Sequence, residues 1–283
     1  MTAIIRITLM VAVAVALNGC GSGALYQAAY KGDFQKVASL LAAGEKIEES
    51  DSKGWTPLMI ASAEGHLKTV KLLLEKGANP NAKNRYGRTA LMFAAHYGYT
   101  PIVEVLLESG ADINIVPTDE TRKTALIAAV DKGHYEVVSL LLRYKADTTI
   151  KEKLGFDALF SAAVAGNTKI AELLLNNGAN PNTVNQQGNT PLLISINEGH
   201  TDIALALLSY GADPNLKSSM GNMDFTPLMT AANKGNSKVA IALIEKGARL
   251  NDRSLMGVTA LQYARNNNHT EVIMVLLEAG AKE

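Results

Sequence analysis

The stretch Gly54-Trp55-Thr56-Pro57-Leu58 decides the fold, because the chain repeats it at a fixed interval. A shift of 33 residues brings it onto Gly87-Arg88-Thr89-Ala90-Leu91, and it returns as Gly188-Asn189-Thr190-Pro191-Leu192. Self-similarity at a period of this length is typical of tandem repeat architectures. The sequence therefore predicts a chain built from one short unit that is used many times.

Each unit has a Thr, a Gly nine residues later and a Gly-Ala pair 21 residues after the Thr, as in Thr56, Gly65 and Gly77-Ala78. Of the 23 glycines, 19 occupy three fixed positions of this unit. We therefore interpret them as residues that end helices and form turns, and not as a phosphate-binding loop. The later anchor positions are Thr89, Thr124, Asp157, Thr190, Thr226 and Thr259. About eight units are predicted, starting near residues 24, 51, 84, 117, 152, 185, 218 and 254.

The residue types of one unit predict two short helices and a turn. Thr56 can cap a helix through its hydroxyl, and Pro57 follows at the first helical position, where its missing N–H costs little. Gly65 interrupts this helix, and a second one is predicted from about residue 67 until Gly77 ends it in a left-handed conformation. Two short helices bury their apolar faces only by stacking on neighbours. We therefore predict an all-α solenoid whose units are linked by short β-hairpin-like fingers.

Composition limits the classes of function. The chain has 283 residues with 27 Lys and Arg against 27 Asp and Glu, and this balance argues against a general nucleic-acid binder. A hydrophobic share of 47% is too high for a disordered chain. The single Cys excludes an internal disulfide and a Cys/His zinc cage.

The sequence offers no candidate catalytic or metal centre. Four of the five histidines fall at one repeat position, and repeats stack about 10 Å apart, too far for shared metal ligands. We interpret them as turn histidines that bond backbone, and they are His66, His134, His200 and His269. Hydrolase, phosphate-loop and metalloprotease motifs are missing from the sequence. A non-enzymatic protein without cofactor or metal is predicted, and an enzyme with an unrecognised site is the alternative.

The repeat resembles the ankyrin repeat from residue 24 to 283, with many positions recurring in phase. This resemblance implies a helix-turn-helix solenoid that binds other proteins. The His after the mid-repeat Gly is present, but the His of the family's Thr-Pro-Leu-His stretch is replaced throughout, which predicts a more apolar stack. The replacing residues are Met59, Met92, Ile127, Phe160, Leu193, Met229 and Gln262.

The N-terminus resembles a bacterial lipoprotein signal. Arg6 precedes an apolar run of 11 residues, 7 to 17, about half the length of a membrane span. The sequence Leu17-Asn18-Gly19-Cys20 then resembles a lipobox, so Cys20 is the expected lipid anchor. We predict a signal peptide over 1–19, a tether over 20–23 and a repeat domain over 24–283. Gly21 favours the outer membrane, facing the periplasm. The alternative is a buried N-terminal helix with an incidental Cys.

Positions that the repeat does not dictate are candidates for partner binding. Fingers, first-helix ends and the residue before the closing Gly hold ten basic and four acidic residues together with many aromatics, which are common interface anchors. We predict a basic, aromatic concave face and a partner with an acidic surface. Its candidate contacts are Tyr30, Trp55, Tyr86, Arg88, His96, Tyr97, Lys123, Tyr144, Phe156 and Phe225.

Three alternatives to that face remain open. Finger aromatics can pack against neighbouring fingers while the charges are solvated. The longer fingers at 117–123 and 218–225 are candidate contact loops. Finally, the outward positions of the late second helices form an apolar stripe, Leu205, Ile241 and Met274, that can contact a partner, a second copy or the membrane.

The combination of lipobox and repeats resembles immunity lipoproteins of type VI secretion phospholipase effectors. This resemblance implies that the chain binds a toxic effector in the periplasm and blocks its active-site cleft or its approach to the membrane, without chemistry. The alternative is an envelope stress or maintenance protein of the oxidative-defence type.

Overall fold

The structure is a computed structural model that describes residues 23–218 and 224–282. This part holds 16 helices, arranged as eight antiparallel pairs, and no named strand. The first helices of the pairs are α1 (Ala24–Lys31), α3 (Pro57–Ala63), α5 (Ala90–Tyr97), α7 (Ala125–Lys132), α9 (Ala158–Ala165), α11 (Pro191–Glu198), α13 (Pro227–Lys234) and α15 (Ala260–Asn266). The second helices are α2 (Phe34–Ala42), α4 (Leu67–Glu75), α6 (Thr100–Glu108), α8 (Tyr135–Arg143), α10 (Thr168–Asn176), α12 (Thr201–Ser209), α14 (Ser237–Glu245) and α16 (Thr270–Glu278). The predicted all-α solenoid is confirmed.

Side-chain caps start most of the first helices. The Thr56 hydroxyl accepts a hydrogen bond from the Met59 N–H, and the equivalent residue does the same at α7, α9, α11, α13 and α15. Asp157 performs this role with a carboxylate at α9. There are two exceptions: the N-cap of α1 is Gly23, which has no side chain, and the buried hydroxyl of Thr89 makes no cap bond to α5.

The repeat glycines end the elements in the left-handed conformation. All 19 glycines at the three repeat positions have positive φ. Four other residues replace glycine at these positions and still adopt positive φ, between 54° and 66°. They are Arg122, Lys145, Asp224 and Asn268. The backbone conformation is thus kept even where the residue that adopts it most easily is absent.

The core runs without interruption through the stack. Six of the seven residues that replace the ankyrin histidine are buried, and Phe160 is fully buried. The seventh, Gln262, is half-buried and completes a capping box with Thr259. Neighbouring first helices pack together more closely than neighbouring second helices do. We call the side of the stack that the first helices form its inner side.

The fingers are turns and not strands. Five of the seven are closed by a backbone bond across four residues, as from the Asn84 N–H to the Arg88 carbonyl at 3.0 Å. One isolated bridge, Ser218 to Phe225, is the only strand-like pairing in the described ranges. The predicted hairpin-like fingers are therefore shorter than hairpins, because a single closing bond leaves no room for a ladder.

Consecutive fingers are also bonded to each other. The Arg85 N–H donates to the Lys53 carbonyl at 3.0 Å, and the Lys153 N–H donates to the Thr121 carbonyl at 3.2 Å. The Gln186 N–H bonds the Leu154 carbonyl in the same way at 3.2 Å. These contacts join separate turns into one continuous row.

The predicted signal peptide, Cys20 and most of the tether lie outside the described residues. Within residues 23–218 and 224–282, no helix combines the length and the apolar character needed to cross a membrane.

Candidate functional site

The inner face is the surface on which most of the predicted contact residues lie. We define it as the residue before each first helix's N-cap together with the last turn of that helix. Its predicted members are Tyr30, Trp55, Arg88, His96, Tyr97, Lys123, Phe156 and Phe225. All eight are half-buried, so each is held by the scaffold on one side and reaches solvent on the other.

Three aromatics of the inner face rest on other rings. Trp55 stacks on Phe93 of the following unit, with ring centroids 4.1 Å apart. Phe156 stacks on Phe160 at 4.3 Å, and Phe225 meets the edge of Tyr263 at 5.1 Å. These contacts agree in part with the alternative of packed finger aromatics. They also hold the three side chains in fixed orientations while leaving part of each ring exposed.

The two predicted inner-face cations are paired within the chain. The Arg88 guanidinium donates to Asp119, and Lys123 donates to Asp131. Burial raises the pKa of Asp119, but hydrogen bonds from Thr121, Arg88 and the Arg122 N–H outweigh it, so the pKa lies below its usual value. The inner face is therefore less basic than its residue count suggests, because Arg88 and Lys123 are neutralised.

His96 and Tyr97 form an aromatic pair on the inner face, in the last turn of α5. Their rings meet edge to face at 4.8 Å. Burial lowers the pKa of His96 to about 4, and the nearby charges of Lys132 and Arg88 act in the same direction. Burial likewise raises the pKa of Tyr97. Both side chains are thus neutral near pH 7 and present uncharged polar rings to a partner.

The longer finger at 117–123 is fixed to its neighbour. The N–H groups of Thr118 and Asp119 both donate to the Tyr86 carbonyl, at 3.0 and 3.1 Å. The Asp119 carboxylate also accepts from the Thr121 N–H and hydroxyl. The insertion therefore acts as a clamp between two fingers. Its neighbour Tyr86 remains exposed and available for contact.

The other longer finger is described only at its two ends. The Ser218 N–H donates to the Phe225 carbonyl at 2.8 Å, and Lys217 lies 4.0 Å from the Asp224 carboxylate. Residues 219–223 of this candidate contact loop lie outside the described ranges.

Tyr144 lies away from the other predicted contacts. It caps the C-terminus of α8 and belongs to the row of second helices, not to the inner face. The predicted apolar stripe lies on the same row, where Ile241 and Met274 are exposed and Leu205 is half-buried. The placement of Tyr144 with the other predicted contacts is therefore wrong, because the residue before the closing position, which is Lys145 in this unit, ends the second helix.

The turn histidines connect neighbouring units. The His66 Nε2–H donates to the Tyr30 carbonyl at 2.9 Å, and His134 and His269 donate to the equivalent carbonyls of His96 and Asn233. The predicted backbone bonding is confirmed for these three. No cluster of three or more His, Cys, Asp or Glu side chains in the described part is arranged to hold a metal ion.

Sequence reasoning missed Asp119, Phe93 and Tyr263 as partners of the inner-face residues. The Arg88–Asp119 bond spans 31 positions. A local signal for part of it exists, because Asp119 and Thr121 have the spacing of an Asx-turn. The contact with Arg88 depends on how two fingers meet, and no local pattern encodes that.

A family model for ankyrin repeats in three copies matches the chain at residues 7–84, 25–117, 82–152, 145–218 and 216–283. These matches cover nearly the whole sequence. No curated protein matches the chain.

Proposed function

Because the chain belongs to the ankyrin-repeat family, we propose that it binds a partner protein through its inner face and performs no catalytic step. The supporting observation is the row of half-buried aromatics that stack on scaffold rings. Side chains held in place before binding lose little conformational freedom on complex formation, and aromatics are frequent interface anchors. Trp55 and the His96 and Tyr97 pair are the central anchors of this surface.

Two double variants test the inner face. Trp55→Ala with Tyr97→Ala should abolish recovery of a stoichiometric partner in a pull-down from the envelope fraction. The matched control is Tyr135→Ala with Tyr144→Ala, which removes two exposed aromatics at opposite ends of α8. We expect the control to retain the partner and both variants to keep helical circular dichroism. A folded Trp55/Tyr97 variant that binds normally contradicts the assignment.

We further propose that the protein is an envelope lipoprotein, anchored through Cys20 to the outer membrane and facing the periplasm. Support comes from the single cation Arg6, the short apolar run and the lipobox-like residues before Cys20. Cys20→Ser should release the protein into the soluble periplasm or leave it unprocessed. Unchanged membrane fractionation together with unchanged electrophoretic mobility would refute acylation.

The combination of anchor and repeats favours an immunity role, in which the chain neutralises a type VI secretion phospholipase effector. An inhibitor of an envelope-targeted toxin has to act on the periplasmic side, and an anchor at Cys20 provides that location. Where a lipase-like protein is encoded beside this gene, cells that express it should survive only when the intact chain is co-expressed. Equal killing with and without the chain, and no complex between the two proteins, would reject the immunity role.

A further inference from the structure

Four exposed cations lie at the tips of four consecutive fingers. Lys53, Arg85, Arg122 and Lys153 each contribute one positive side chain, and each is exposed. None of them forms an ion pair with another residue of the described ranges, in contrast to Arg88 and Lys123 on the adjacent inner face. We call these four residues the fingertip row.

The backbone holds the fingertip row in place. Lys53 and Arg85 are joined directly, since the Arg85 N–H donates to the Lys53 carbonyl. Lys153 bonds the carbonyl of Thr121, the neighbour of Arg122. The clamp at 117–123 connects the two halves through the Tyr86 carbonyl. The four charges are therefore carried on a continuous bonded support and not on independent loops.

Most acidic groups near the fingertip row are already engaged. Asp51 accepts hydrogen bonds from the N–H groups of Lys53 and Trp55. Glu152 is buried and accepts from the Leu154 N–H, while Asp119 bonds Arg88. Glu120 is the exposed carboxylate of this region. A positive excess therefore faces solvent along the tips.

The positive excess ends after the fifth unit. The corresponding tip positions of the sixth and eighth units carry no charge, and they are Gln186, Gln187, Leu255 and Met256. Because adjacent helices pack 8–10 Å apart, four successive tips extend over about 30 Å. The row is thus a bounded linear feature and not a general property of the surface.

We propose that the fingertip row binds an acidic helix of the partner protein, with one carboxylate of that helix opposite each finger. This inference rests on the protein-binding function proposed above. Seven residues of α-helix advance about 10.5 Å and return the side chain to nearly the same face, which matches the repeat spacing. In an extended strand, three residues advance about 10 Å, but the side chains then alternate between opposite faces.

A defined helical probe tests the proposal on the full chain. The probe is a fluorescently labelled, alanine-rich peptide of about four heptads with one Glu in each heptad, and the matched peptide carries Gln instead. At about 20 mM NaCl, anisotropy should give at least about tenfold tighter binding for the Glu peptide. The difference should shrink at about 150 mM NaCl, because exposed ion pairs are screened by salt. Equal affinities for the two peptides would overturn the proposal.

Charge-reversal variants locate the binding surface. Lys53→Glu, Arg85→Glu, Arg122→Glu and Lys153→Glu together should remove the preference for the Glu peptide. The control reverses four exposed lysines on second helices, with the same change in net charge, namely Lys36→Glu, Lys71→Glu, Lys169→Glu and Lys238→Glu. We expect the control to keep the preference. An equal loss in both variants would attribute binding to net charge and overturn the proposal.

Two further probes examine other occupants. A proline-containing peptide with Glu at every third residue should bind more weakly than the helical peptide, and tighter binding would contradict a helical ligand. Vesicles of anionic phospholipid should bind the parent chain and the fingertip charge-reversal variant equally weakly. Binding to the parent chain that the charge reversal abolishes would show that the fingertip row binds a membrane, and would contradict the proposal. Retention of the partner by the fingertip variant, with loss in the Trp55 and Tyr97 variant, would reject this inference and leave the proposed function intact.

Discussion

Burial of His96 makes the stability of the protein depend on pH. Its pKa is about 4 in the folded chain because burial and the charges of Lys132 and Arg88 disfavour the imidazolium. The unfolded chain has the ordinary value near 6.5. The unfolded state thus binds the proton more readily, so this contribution to stability is complete above about pH 6.5 and is lost as the pH falls toward 4.

We predict that His96→Gln reduces this pH dependence. The urea midpoint of the parent should fall more between pH 7.5 and pH 5 than that of the variant, which has no imidazole to protonate at this position. The reduced pKa of Asp119 does not interfere, since a carboxylate with a pKa below 3.8 loses its stabilising effect only at lower pH. Parallel midpoints for the two proteins across this range would argue against a depressed histidine pKa.

Single residues were predictable where their role is local. Thr56 as a cap and His66 as a backbone-bonding turn residue follow from short motifs, and both are confirmed. The stacking of Trp55 on Phe93 was not predictable, because it joins two units through the orientation of their helices. The misplacement of Tyr144 has a different origin, since the position before the closing Gly was assigned to the wrong row.

A histidine ring of the next unit packs against the glycine that ends a first helix, as at Gly98. At Gly98, φ is +78° and an added Cβ would lie 2.7 Å from the ring of His134 in the next unit. At Gly110, φ is +83° and no atom lies within 4 Å of the added Cβ. Both positions require the same kind of backbone, but only Gly98 also requires the absence of a side chain.

We therefore predict different costs for two similar substitutions. Gly110→Ala should lower the free energy of unfolding by about 1–2 kcal/mol, the cost of a left-handed conformation. Gly98→Ala should cost about 1–3 kcal/mol more, because the methyl group displaces the His134 ring and weakens the contact between α5 and α7. Chemical denaturation measures both values. Equal costs would mean that the interface between units adapts freely.

The elements themselves were largely readable from the sequence. Caps, prolines and glycines mark the helix ends, and the predicted second helix from residue 67 matches α4. The internal structure of the insertion at 117–123 could not be predicted from the sequence, because its role depends on Tyr86 and Arg88 in the preceding finger. A local pattern identifies a longer loop but not the neighbour to which that loop is bonded.

The whole molecule is a quasi-one-dimensional stack, in which each unit contacts its neighbours. Its stability is therefore a property of interfaces along the chain, and the position of a defect matters as much as its size. Phe160 is fully buried in the fifth unit, with units on both sides, whereas Leu276 is fully buried in the eighth described unit.

Hydrogen exchange should distinguish defects at these two places. Phe160→Ala should cost about 3–5 kcal/mol and lower amide protection in α7 to α12, because it weakens two interfaces. Leu276→Ala should lower protection mainly in α15 and α16 and leave α3 to α8 unchanged. A uniform loss along the chain after Leu276→Ala would indicate a single cooperative unit instead of a stack.

At this scale the sequence predicted the architecture well, since a period of 33 residues encodes stacking directly. It also led to an overestimate of the charge on the inner face, because pairing between Lys123 and Asp131 or between Arg88 and Asp119 is a tertiary property. Residue counts therefore indicate which charges are present, whereas the fold determines which of them remain available to a partner.

The bonds between fingers also restrict the mode of recognition. Many proteins bind a peptide by strand addition, in which the ligand takes up free backbone donors and acceptors at a sheet edge. Here the Arg85, Lys153 and Gln186 N–H groups are already paired with carbonyls of the preceding fingers. A ligand at these tips is therefore recognised mainly by the side chains of the fingers and not by their backbone. Specificity can therefore change by substitution at the tips while the supporting backbone stays the same.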